Sequence, residues 1–121
     1  MRYLKSDLFL DYKGQPKEVG KDVDPVNPER KATTGDVLAF IADQYVPQQG
    51  FQLTLAEIRK LNKAIDVLYT VPVDGVYRLE DEDFAVLSRT AQHMVLLMGI
   101  WSRSAPEIED IIESATTKEA A

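Results

Sequence analysis

The chain has 121 residues, 45% of them hydrophobic, which fits a single globular domain over residues 1–121 and argues against wholesale disorder. With no cysteine and one histidine it excludes a disulfide framework, a thiol nucleophile, a thiolate zinc site and Cys-ligated iron–sulfur clusters, and leaves any metal site to carboxylates. The formal charge of −6 argues against binding nucleic acid through its backbone.

Arg2 and Lys5 precede only three apolar residues, Leu8-Phe9-Leu10, bracketed by Asp7 and Asp11. That is too short for the apolar stretch of an export signal. Residues 3–19 read as an antiparallel hairpin: Leu8, Leu10 and Tyr12 alternate with Phe9 and Asp11, and Lys13-Gly14 supplies a turn. Pro16 confines the returning arm to an edge or a short stretch. Residues 20–34, punctuated by Gly20, Pro25 and Pro28 and rich in charge, read as a long loop, with the length of a functional or mobile segment. It is a segment that could order on a neighbouring subunit.

A first helix is expected over about 35–46, capped by Thr33 or Thr34 and ended by Pro47 and Gly50. Its apolar face is Val37, Leu38, Phe40, Ile41 and Tyr45. A second follows over about 55–69. Thr54-Leu55-Ala56-Glu57 is a capping box, Leu53 and Ile58 form a hydrophobic staple, and Leu55, Ile58, Leu61, Ile65 and Leu68 mark the buried stripe. Val71 to Leu79 carries Asp74-Gly75 between β-branched and aromatic residues, a small hairpin or a turn with one strand, able to pair with the N-terminal hairpin. The third helix is expected over about 81–98 on the spacing of Phe84, Leu87, Ala91, Met94, Val95 and Met98. The fourth starts at Ser104, where Ser104 and Glu107 make an S-x-x-E box and Pro106 fits the first turn; Ile108, Ile111, Ile112 and Ala115 form its stripe. Residues 116–121 are expected to fray. The class is α+β: an N-terminal β-hairpin, about four helices, and a small β-turn or hairpin between helices 2 and 3.

The charge is one-sided. Residues 1–31 are net +1, residues 32–73 net −1, and residues 74–121 net −6. Glu80-Asp81-Glu82-Asp83 is the sharpest cluster. Consecutive helical residues point about 100° apart, so the four cannot converge on one ion, and the spaced ligands of a calcium loop are missing. Their first reading is favourable placement at a helix N-terminus; their second is a cation-facing docking point for a partner's Arg or Lys. Asp22 and Asp24 read as solvated loop charges, Arg59, Lys60 and Lys63 as a solvated face, and His93 as a surface or satisfied core histidine. Ser88, Ser102 and Ser104 lack a nucleophile-elbow setting, and neither glycine-rich phosphate-binding pattern occurs. No catalytic residues, cofactor or metal are expected. No run approaches the roughly 20 apolar residues of a membrane span.

The run Met94 to Trp101 is apolar nearly all round, a whole circumference that a domain of this size seldom buries on one helix. Core packing accounts for part of it. The remainder, Met94, Leu97, Met98 and Trp101 together with Ile108, Ile111 and Ile112, is a candidate oligomer or partner interface, since Met and Trp are enriched there.

Asp11-Tyr12-Lys13-Gly14-Gln15-Pro16, then Thr34-Gly35-Asp36-Val37-Leu38 opening a helix, and Leu79-Glu80-Asp81-Glu82-Asp83-Phe84 opening another, resemble small accessory proteins of tailed bacteriophages and prophages. The resemblance covers about residues 8–115. It implies a phage or prophage origin, hence a place in the bacterial cytoplasm or the virion, and carries over no functional residue. The resulting expectation is a non-enzymatic protein acting by protein–protein contact or self-association, an oligomeric virion component or assembly factor. The alternative is an inhibitor of a host defence system that uses its acidic C-terminal half. A carboxylate-based enzyme or small-ligand binder is the remote third reading.

Overall fold

A computed structural model describes residues 1–117. It is α+β: a two-stranded antiparallel sheet and four helices, in the order β1 (Arg2–Lys5), α1 (Thr34–Ala42), α2 (Leu55–Leu68), β2 (Val76–Leu79), α3 (Asp81–Val95) and α4 (Ala105–Ser114), with a 3-10 turn over Gly99–Ser104 between the last two.

There is no N-terminal hairpin. β1 pairs instead with β2, more than seventy residues later, in the register Arg2 with Leu79 through Lys5 with Val76. On its other side Tyr3 exchanges two backbone hydrogen bonds with Thr116, of 2.8 and 3.0 Å, so the segment expected to fray at 116 is tied to the sheet; residues 118–121 lie outside the described residues. The turn at Lys13-Gly14 does form. Gly14 takes φ of 73°, and Asp11 Oδ1 accepts the N–H groups of Lys13 and Gln15 at 2.9 and 3.0 Å. The arms meet at one isolated bridge, Leu10 with Pro16, and do not zip into strands. Residues 7–9 turn to Ala32–Thr34 instead, with Phe9 N–H on the Ala32 carbonyl and Thr34 N–H on that of Asp7.

Between α2 and β2, the Asp-Gly turn is present, with φ of 55° at Asp74 and 71° at Gly75, as a two-residue turn of mirror-image type requires. Only a single bridge, Val73 with Val76, precedes β2. It is a turn with one strand, and Pro72 stands where a first arm would lie.

α1 is the central helix, buried on nearly every side; Phe40 alone is half-buried. Its start is a full capping box: Thr33 Oγ1 accepts the Asp36 N–H and Asp36 returns to the Thr33 N–H. It ends at Ala42, short of the expected 46, because the next N–H groups reach back only three residues, Gln44 to Ile41 and Tyr45 to Ala42. The loop 20–34 is held by contacts within its own chain. Asp24 Oδ1 accepts the Val26 and Asn27 N–H groups, and Arg30 bridges Asp24 at 3.0 Å and the buried Asp36 at 2.8 Å.

α2 carries the predicted capping box, Thr54 with Glu57. Its buried residues are Leu61, Ala64, Ile65 and Leu68, whereas Leu55, expected on that stripe, is 65% exposed in the first turn. Glu57 also pairs with Arg89 of α3. The Thr54 N–H bond, and after it Arg89, pull the Glu57 carboxyl down to about 2. A carboxyl depressed by folding contributes stability above its unfolded value and loses it as pH falls through the folded one. Stability should therefore decline between pH 4.5 and about 2 as Glu57 protonates. Glu57→Gln should be less stable at pH 7 and show a shallower acid decline; urea midpoints measured for both proteins across this range check it, and parallel profiles would contradict it.

α3 packs on α1, α2 and α4. It stops at Val95, three residues before the expected end, and the reason is local: Gly99 takes φ of 57° and the chain tightens into the 3-10 turn. The S-x-x-E box at the start of α4 does not form either. Ser104 makes no cap; its buried hydroxyl accepts the Tyr12 N–H at 3.1 Å and so ties the turn to the N-terminal segment. Ile108, fully buried, docks α4.

Candidate functional site

Of the seven residues proposed for an interface, Met94 (4% exposed) and Ile108 (0%) belong to the core of the chain itself, so neither is available to a partner. Met94 lies in the last turn of α3, which packs on α1, α2 and α4. Met98, Trp101, Ile111 and Ile112 are partly buried against the core. The Trp101 ring sits 6.0 Å from that of Phe9 and 5.9 Å from that of Phe40, with the Lys17 ammonium 4.7 Å above it. Leu97 alone of the seven is a large exposed hydrophobic.

The exposed aliphatic residues of this segment lie on a turn. Unrolling after Val95, the chain leaves Leu96 at 64%, Leu97 at 52% and Ile100 at 62% exposure, three aliphatic side chains within five residues. Leu96 N–H is tied to the Met94 carbonyl, Leu97 N–H to the same carbonyl at 3.0 Å, and Trp101 N–H to that of Met98 at 3.0 Å, so the turn is hydrogen-bonded along its length. Trp101, wedged between Phe9 and Phe40, anchors it from below. Exposure of Leu96 and Ile100 was not legible from helical spacing. The signal that could have found it is Gly99, a helix stop inside an apolar run.

The acidic cluster is divided. Glu80 takes the N-cap position of α3 without a side-chain cap. Asp81 lies 2.7 Å from the Met1 amino group and Glu82 is 2.8 Å from Lys60 Nζ, and each pairing lowers the carboxyl's affinity for a proton. Asp83 lines a shallow groove between α2 and β2 with Lys63, Asp66 and Arg78. Lys60, read from sequence as part of a solvated basic face, is thus half of an inter-helix pair. Asp24 is an organiser of its own loop through Arg30 and two backbone N–H groups, which lower its pKa.

His93 stacks on Phe51 at 4.2 Å and 10°, with Nε2 3.3 Å from Gln48 Oε1. Tyr45, edge-on to Phe51, accepts the Leu53 N–H on its hydroxyl at 2.8 Å. These contacts fasten the loop 43–54 to α3. Among the described residues no group of three His, Asp or Glu side chains is placed to hold a metal ion, and no helix is long and apolar enough to cross a membrane. Comparisons with protein-family models, with curated proteins and with solved structures find no match to this chain.

Proposed function

We propose that this is a non-enzymatic, phage-type protein that works through protein–protein contact, as an oligomeric virion component or assembly factor, with the Leu96–Ile100 turn at the centre of its contact surface. The observation that supports it most is the exposure of three aliphatic side chains on a hydrogen-bonded, Trp-anchored turn. Scattered exposed leucines are ordinary; three on one turn of backbone are less so.

The magnitudes limit the reading usefully. Full burial of an aliphatic side chain contributes about 1.5–3 kcal/mol, so covering three that are already about half buried contributes on the order of 3–4 kcal/mol. Association costs about 4–15 kcal/mol in lost freedom. The turn therefore serves as the anchor of a larger interface, flanked by the half-buried edges of Met98 and Trp101.

Replacing Leu97 and Ile100 together with aspartate should leave the fold intact, since both side chains face water, and abolish association. Sedimentation velocity on the parent and the double variant measures this; an unchanged distribution would contradict the placement of the surface. The inhibitor reading has less to draw on, because two of the four clustered carboxylates already face cations of their own chain. Genes for capsid and tail beside this one would support assembly, and an anti-defence cluster would support inhibition.

A further inference from the structure

A second surface lies away from the acidic cluster, where the extended segment Ser6–Tyr12 runs past the first turns of α4. In an extended chain alternate residues present their backbone groups to opposite sides. Asp7 and Phe9 direct theirs to Ala32–Thr34. Positions 6, 8, 10 and 12 face the other way. Ser6 N–H is taken by the Gly75 carbonyl at 2.8 Å and Tyr12 N–H by Ser104 Oγ at 3.1 Å. Between them the N–H and C=O groups of Leu8 and Leu10 have no hydrogen-bond partner among the described residues. This is a short, open strand edge.

The edge borders a groove of about 180 Å³ lined by Leu8, Leu10, Thr34, Glu107, Asp110 and Ile111. Leu8 is 54% and Leu10 45% exposed. Glu107 Oε2 is shielded from solvent and has no hydrogen-bond donor among the described residues. The volume is below the roughly 300–1,000 Å³ of small-molecule sites. It suits a few residues of extended chain, with apolar contact at the leucines, main-chain bonds at the edge and a donor at Glu107.

We propose that this groove is a strand-addition site for an extended, basic segment of a partner protein, whose backbone pairs with Leu8 and Leu10 and whose Lys or Arg meets Glu107 and Asp110. The charge selects the occupant. A second copy adding edge to edge would bring the stretch Asp7–Tyr12, which holds two carboxylates and no cation, against Glu107 and Asp110, and like charges so juxtaposed oppose pairing. A basic strand meets complementary charge at Glu107 and Asp110 beside the apolar contact. This site is independent of the Leu96–Ile100 turn.

The test uses the full chain, labelled with ¹⁵N, titrated at low salt with a blocked pentapeptide of alternating valine and lysine. Amide shifts confined to Leu8, Leu10 and the first turns of α4 are expected. The same peptide N-methylated at its lysines should lose binding, and a valine–glutamate peptide should not bind. Glu107→Gln combined with Asp110→Asn should weaken the parent peptide about tenfold, the loss expected from charge-assisted hydrogen bonds. The peptide comparison on the unaltered chain stands whether or not that variant folds. Equal binding of the N-methylated or acidic peptide, shifts elsewhere, or none at millimolar peptide would overturn the proposal.

Discussion

Gly35→Ala should lower the stability of this protein by about 2 kcal/mol, even though it places a better helix former inside a helix. Propensity alone favours the change by about 1 kcal/mol. Geometry opposes it more strongly. A Cβ on Gly35 would fall 2.4 Å, 2.5 Å and 2.6 Å from three atoms of the Tyr77 ring system, all far inside van der Waals contact. The ring has nowhere to go: Tyr77 is 4% exposed, sits on β2, and its hydroxyl is 3.3 Å from Thr33 Oγ1 at the cap of α1. Overpacking of this kind costs about 1–3 kcal/mol and sometimes more, and a clash spread over three atoms belongs at or above the upper end. The net loss corresponds to a Tm lower by about 8 °C. Urea denaturation checks it, and a double-mutant cycle identifies the cause. In a Tyr77→Leu background the alanine should cost far less, since the clash is gone. An alanine variant as stable as the parent would show that α1 and β2 do not approach as closely as described.

Ile108→Ala should cost more, about 3 kcal/mol. Ile108 is the one fully buried side chain of α4, and truncating a buried isoleucine to alanine costs about 2–5 kcal/mol through lost transfer energy and the cavity left behind. Its neighbours on the same stripe, Ile111 and Ile112, are half-buried and should cost about 1 kcal/mol each on the same scale. The loss should be felt beyond α4. The helix is fastened at one end by Ser104 to Tyr12, and after its other end Thr116 pairs with β1, so loosening it frees both. Amide exchange should speed first in α4 and at Tyr3. A cost below 1 kcal/mol, or exchange unchanged there, would contradict the docking of α4. The same burial makes deletion of residues 104–121 a poor probe of assembly, because it removes core together with surface.

The parts of this fold that were legible in the sequence are those whose determinants lie within a few residues of one another. The Thr54–Glu57 box is complete in four residues and forms as read; so do the turns at Gly14 and at Asp74-Gly75, where positive φ is written into the residue type. That the Val71–Leu79 element could pair with the N-terminal segment was legible, but the bounds of β1 and its register were not, because the pairing joins residues more than seventy positions apart and depends on where α1 and α2 place the two ends. Ser104 shows the same limit at the scale of one hydroxyl. Its cap motif is local, but the Tyr12 N–H arrives from 92 positions away and takes the oxygen first. At the candidate contact surface the hydrophobic run was visible and its division was not. Helical spacing put Met94, Val95 and Met98 on one stripe of a helix running to 98; the left-handed Gly99 ends that geometry, and Met94 and Val95 go to the core while Leu96, Leu97 and Ile100 go to solvent.

The charge also changes its meaning once placed. The net −6 is concentrated in residues 74–121, yet Asp81 and Glu82 are engaged within the chain. Glu107 and Asp110 line a groove beside Leu8 and Leu10, in a part of the surface that the acidic run at 80–83 does not mark.

The central claim, that this chain acts by associating through the Leu96–Ile100 turn, is tested most directly by the light-scattering mass of the unaltered protein across a concentration series. One chain has a mass of 13.6 kDa. The mass should rise with concentration to a multiple of that value and return to it when Leu97 and Ile100 are replaced by aspartate. A mass that stays at that of one chain up to the highest concentration reached would contradict it.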